Sequence, residues 1–166
     1  MDADTIQIKA AWKILEQVAD PEVPVLTVID LGIIRHIDIV EHRLQITITP
    51  TYTGCPAMDV MSMGIRMALL ENGFKHIEIK QVLSPAWTTD WMSESGKQKL
   101  KAYGIAPPNT TQAVCTPQSF QQEESIQCPL CNSYHTQLIS QFGSTACKAL
   151  YKCDDCKEPF DYFKCH

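Results

Sequence analysis

At 166 residues the chain has room for one ordinary domain, or for a domain of about 100 residues beside a small one. Hydrophobic residues make up 45% and charged residues 20%, and every apolar run is shorter than the ~18 residues of a bilayer span, which excludes a helical membrane protein. A net charge of −5 gives no drive toward nucleic acid or anionic lipid, and the acidic start Met1-Asp2-Ala3-Asp4, with no basic and then apolar leader, sets a cytoplasmic location as the expectation.

The first pattern is helical. Ala11, Ile14, Leu15 and Val18 share one face of a helix over residues 6–19, with Asp4 and Gln7 as a capping pair. Asp20-Pro21-Glu22-Val23-Pro24 ends it, because proline cannot continue a helix. Ile33, Ile37 and Ile39 mark a strand. Leu44, Ile46 and Ile48 alternate with Gln45, Thr47 and Thr49 as a half-buried strand, and the short gap between the two predicts a hairpin. From Pro56 a second helix places Met61, Ile65, Ala68 and Leu69 on one face and stops at Asn72-Gly73. Ile77 and Ile79 mark a third strand, and Ser93 to Tyr103 a short helix. The order α-β-β-α-β, then helix, predicts an α+β domain over residues 1–106, with helices packed on one sheet.

Residues 107–127 read as a linker. Pro107, Pro108 and Pro117 stiffen a polar stretch without strand or helix period. Six of the eight cysteines then fall in the last 39 residues. Cys128-Pro129-Leu130-Cys131 and Cys153-Asp154-Asp155-Cys156 are two Cys-x-x-Cys units. Each sets two thiolates on one tight turn, and two such turns complete a tetrahedron around one ion. Ser133 to Phe142 is rich in strand formers and Gly143 offers a turn, so residues 128–166 read as a zinc-ribbon β domain. So small a domain has too little core to fold alone, and a structural metal supplies the difference. Zinc on Cys128, Cys131, Cys153 and Cys156 is the expectation. Iron in the same cage and a pair of disulfides are the alternatives. Cys147 reads as a small core residue near the second turn, and Cys165-His166 as packed or free.

Thr51-Tyr52-Thr53-Gly54-Cys55-Pro56 joins a strand to a helix. With Pro56 as the first helical residue, Cys55 takes the N-cap, where the helix dipole and free N–H groups favour a thiolate. Such a thiolate serves as a nucleophile or a soft-metal ligand. A buried cysteine that only fills space is the competing reading, and spacing does not separate the two. Asp20 and Glu22 read first as caps of a solvated turn, with a place beside that thiol as the competing reading. His36, His42 and His76 have no ligand spacing. Met58, Met61, Met63 and Met67 read as core residues, not as a sulfur metal site.

Asp20-Pro21-Glu22-Val23-Pro24, Ile29-Asp30-Leu31-Gly32-Ile33, Thr49-Pro50 and Gly54-Cys55-Pro56 resemble the SufT-like family of iron–sulfur assembly domains. Further stretches are similar to the accessory D proteins of bacterial phenylacetyl-CoA epoxidase systems. They are Pro85-Ala86-Trp87-Thr88-Thr89-Asp90-Trp91-Met92, Tyr103 to Pro108, Ser140 to Leu150 and Glu158 to His166. The resemblance implies a non-enzymatic role in aerobic phenylacetate breakdown, assisting iron or iron–sulfur insertion into a metal centre of that system, foremost the cluster of its reductase. It implies that Cys55 is the reactive thiol, that Asp20 lies near it, and that the reductase, the oxygenase and the iron–sulfur assembly machinery are partners.

A single thiolate cannot hold a cluster, which usually takes four protein ligands. A transient iron–sulfur cluster on Cys55 therefore needs ligands from a homodimer partner, small thiols, a client, or Cys147 and Cys165. A structural adaptor that stabilises the oxygenase without handling metal is the alternative function. A cysteine enzyme is disfavoured because no histidine is placed as a base, and a nucleic-acid-binding ribbon because its charge is neutral.

Overall fold

The computed structural model describes residues 3–52, 54–108 and 126–164, in two compact units that divide between Trp87 and Thr88. The linker expected at 107–127 lies largely outside the described residues, as do Cys115, Cys165 and His166. No helix among the described residues is long and apolar enough to cross a membrane.

The first unit follows the predicted order. Helix α1 (Ala3–Leu15) precedes strands β1 (Ile34–Val40) and β2 (Arg43–Ile48), helix α2 (Ala57–Glu71) and strand β3 (Ile77–Gln81). The sheet runs β1-β2-β3. β1 and β2 are antiparallel, and β3 is parallel to β2 through the α2 crossover. The hairpin turns at Glu41 and His42, both with positive φ (50° and 63°), the backbone that two-residue hairpins require. α1 buries Ala11 and Leu15, α2 buries Met58, Met61, Ile65 and Leu69, and the sheet supplies Ile37, Leu44, Ile46 and Ile48.

Two expectations for α1 change. Asp4 sits inside the first turn instead of capping it, and the helix ends at Leu15, not at residue 19. Val18 is buried, but in a loop. Val28 N–H donates to its carbonyl at 2.9 Å, and Ala19 bridges Thr27. Its helical spacing from Leu15 is a coincidence of two burials.

The loop from Glu16 to Ile33 is held by its own polar side chains. Asp20 Oδ1 accepts from the N–H groups of Glu22 (2.7 Å) and Val23 (2.6 Å). Thr27 and Asp30 cap each other: Thr27 Oγ1 donates to Asp30 Oδ2 at 3.0 Å and accepts from Asp30 N–H at 3.1 Å. Trp87, buried at the end of this unit, donates its indole N–H to the Leu31 carbonyl at 2.8 Å.

In the second unit, helix α3 (Glu94–Ala102) is capped by Ser93, whose hydroxyl accepts from Gly96 N–H at 2.8 Å. It leads into the two-residue strand β4 (Ile105–Ala106), followed by β5 (Thr136–Ser140), β6 (Lys148–Cys153) and β7 (Pro159–Phe163). The sheet order is β4-β7-β6-β5, with β4 parallel to β7. Ile105 and Ala106 pair with Asp161 and Tyr162, so the short helix and its strand belong with the ribbon. Ala106, Ile126, Cys128, Cys153 and Phe160 form one core cluster. Tyr151 stacks on Phe160 at 5.9 Å and meets Tyr162 edge-on at 5.8 Å, so the aromatic tail packs the ribbon itself.

Two substitutions check this packing. Trp87→Phe keeps most of the ring volume but orphans the Leu31 carbonyl, and is expected to cost about 1–3 kcal/mol in denaturant unfolding. Gly143→Ala places a Cβ 2.9 Å from Asp161 Oδ1 and 3.4 Å from the Lys148 carbonyl. It should destabilise the ribbon by about 1–3 kcal/mol, read as a lower midpoint of the zinc-loaded chain.

Candidate functional site

The ribbon brings its four spaced cysteines together. Cys128, Cys131, Cys153 and Cys156 place their sulfurs within 4.8 Å of one another. The Cys128–Cys156 separation is 3.8 Å and the Cys131–Cys153 separation 3.5 Å. Four sulfurs bonded to one tetrahedral zinc stand about 3.8 Å apart, so the donor set fits that ion in number, chemistry and size.

The two turns share one backbone design that the spacing does not reveal. Cys128 N–H donates to the Ser133 carbonyl at 2.8 Å, and Cys153 N–H to the Glu158 carbonyl at 3.0 Å. In each turn the residue after the second cysteine is left-handed, Asn132 at φ 62° and Lys157 at φ 67°. That conformation is uncommon outside glycine and asparagine. It swings the chain back so that N–H groups converge on the sulfurs. The knuckles are also tied together outside the cage. Asp155 accepts from Ser133 Oγ and lies 3.2 Å from His135 Nδ1, which holds its carboxyl below the usual carboxylate range.

The thiols differ in how tightly they hold protons. The N–H of Cys156, with that of Asp155 and the neighbouring thiols, lowers Cys153 to about 7 against the cost of burial. At Cys156 the Glu158 N–H works in the same direction, but burial and the three other sulfurs outweigh it and push the thiol up to about 12. Cys131 is likewise raised, despite the Ser133 N–H. Cys147 stays outside the cage. It is buried, 3.1 Å from Thr145 Oγ1, and its carbonyl accepts from Lys164 N–H at 2.9 Å.

In the first unit, Cys55 stands directly before α2 and is 9% exposed. Pro56 already has helical dihedrals (φ −68°, ψ −22°), and the Cys55 carbonyl accepts from Met58 N–H at 3.2 Å. The register sets the neighbourhood. Ile34 pairs with Ile48, and Ile48 with Gln81, so the entry to β1 and the exits of β2 and β3 share one end of the sheet. Thr49 N–H donates to Ile33 O, and Val82 N–H to Ile48 O, both at 2.9 Å. The 16–33, 49–52 and 82–87 segments therefore leave or enter the sheet at one rim. Asp20 belongs to the first of them, and Cys55 follows the second at the head of α2. Glu22 is half-buried in the turn that Asp20 caps. Met58 and Met61 are core as expected, whereas Met63 and Met67 face outward.

Known proteins match both units. Residues 8–75 match the family model described as an iron–sulfur cluster assembly protein, and residues 112–164 the one described as the PaaD zinc beta ribbon domain. A protein of Escherichia coli (strain K12), named as the putative D component of 1,2-phenylacetyl-CoA epoxidase, is 48% identical over 161 residues, 96% of this chain and 93% of its own length. An "Fe-S protein maturation auxiliary factor" of Porphyromonas gingivalis is 36% identical over 90 residues, covering 53% of this chain and 85% of the relative. The crystal structure of a DUF59 domain from Bacillus anthracis superposes with a TM-score of 0.55 at 27% identity, over 59% of this chain and 94% of that one.

The metal cage carries one prediction. Zinc must displace the protons that Cys131 and Cys156 hold more tightly than an ordinary thiol does, so binding releases protons and weakens as pH falls. Dialysis against a chelator at pH 5.5 and at pH 8 (about two and a half units apart, across the range in which Cys153 protonates) should strip zinc at the lower pH and spare it at the higher. Equal retention of zinc by emission spectrometry at both would contradict the four-thiolate assignment. With both domains present in the same order and a relative matched along nearly its whole length, the chain belongs to the family of phenylacetyl-CoA epoxidase D proteins, an iron–sulfur assembly domain joined to a PaaD zinc ribbon.

Proposed function

We propose that this protein is a cytoplasmic, non-enzymatic maturation factor of a phenylacetyl-CoA epoxidase system. It assists insertion of iron or an iron–sulfur cluster, with the reductase component as the client, and Cys55 is the transient ligand. The observation that carries the reading is the placement of Cys55 at the head of α2, after one of the three segments that share the rim, within the stretch that matches iron–sulfur assembly proteins. Asp20 enters the reading as the residue that shapes this rim, because its Oδ1 is committed to two backbone N–H groups.

Cys128, Cys131, Cys153 and Cys156 hold a structural zinc in this reading. Their shell is complete with four thiolates and keeps no open position for chemistry. The metal closes a ribbon whose own core is small, and the ribbon serves as the docking module toward the oxygenase and reductase. The relatives named as maturation factors match 53% and 52% of the chain, and the iron–sulfur assembly model matches residues 8–75, which supports placing the cargo site in the first unit and the system-specific contacts in the ribbon.

The test is Cys55→Ser in cells that make no other copy. The variant should fold and keep its zinc, while iron and acid-labile sulfide in the purified reductase fall about tenfold. Full loading of the reductase would sink the ligand role and leave a structural adaptor.

A further inference from the structure

Helix α2 is apolar on two opposite faces. One buries Met58, Met61, Ile65 and Leu69. The other carries Val60, Met63, Met67 and Leu70, which are 45–67% exposed. Single exposed apolar residues are ordinary, but four in line along one helix make a patch that asks for a partner. Their spacing of three, four and three residues is the 3.5-residue period of a helix that meets another helix along a seam.

The residues beside the seam select the partner. With Val60 and Met67 at the a positions and Met63 and Leu70 at the d positions, Arg66 falls at g and Glu71 at the following e. Both are exposed. In a parallel, in-register pair each g residue faces the e residue five positions on in its neighbour. Arg66 then meets the partner's Glu71, twice by symmetry. An antiparallel pair would set Arg66 against the partner's Arg66. We infer that α2 is a self-association seam, on which a second copy of this chain packs its own α2 in parallel.

In the same heptad Cys55 counts to a c position, off the seam and nearer the side that buries Met58. The seam therefore stands apart from the thiol.

The seam is small against a standard interface, so the dimer should be weak and dependent on concentration. Sedimentation of the zinc-loaded full chain over about a hundredfold range of concentration should move from the monomer mass toward twice that mass. Met67→Glu should stay monomeric throughout, with unchanged circular dichroism. Arg66→Glu and Glu71→Arg should each weaken association about tenfold, and the double variant should restore it. Arg66 Nη1 also donates to the Ile77 carbonyl at 2.9 Å. That bond is lost in the Arg66→Glu single variant and the double variant alike, so rescue reports on the seam alone. A monomer at every concentration, or a double variant that is not rescued, would overturn the parallel seam and leave the face to a helix of another protein. Cys55→Ser should dimerise normally, which separates the seam from the ligand.

Discussion

Four sulfur atoms within 4.8 Å of one another set the form of the second unit. The cysteines that carry them lie on turns at the N-terminal side of β5 and the C-terminal end of β6. Once they converge, the register between those strands has little freedom. Thr136 opposes Cys153, and Asp154 N–H reaches the His135 carbonyl at 2.7 Å. Cys128 and Cys153 are fully buried with Ala106, Ile126 and Phe160. The core and the cage thus share atoms, and neither is complete without the other. Four unmetallated thiols resist losing all their protons in so small a volume, because each added negative charge raises its neighbours. A divalent ion removes that conflict.

The first unit solves a different problem. Its rim is built from loops, and loops leave backbone groups unpaired. Short polar side chains satisfy them from within: Asp20 for the turn at Glu22-Val23, and Thr27 with Asp30 for the next. Both carboxylates are buried, a costly position that becomes tolerable because each accepts N–H groups. The result is a rim with fixed shape beside a cysteine that heads a helix.

Much of this was legible in the residues. The alternation at Leu44, Ile46 and Ile48 is the central strand, Ser93 caps its helix, and the Cys-x-x-Cys spacing forecast the cage. Other features were hidden for physical reasons. Val18 has the spacing of a helix but the hydrogen bonds of a loop. Met63 and Met67 have the same character as Met58 and Met61, and residue type alone set all four in the core, although the period that groups Met61, Ile65 and Leu69 puts Met63 and Met67 on the opposite side. The left-handed turns at Asn132 and Lys157 carry no glycine to announce them. Ile105-Ala106 is too short for any period, and its partner strand lies some fifty residues further on.

That two-residue strand alters what counts as a portable piece of this protein. β4 covers the outer edge of β7, and an open edge is a template for unwanted pairing. A gene fragment beginning at the first metal ligand would encode the cage but leave β7 bare, with Ala106 missing from the core. The compact unit that holds the cage starts at Thr88 and includes its own edge cover. A cut in the polar stretch would part β4 from the strand it pairs with, whereas a cut between Trp87 and Thr88 would keep that pair on one piece.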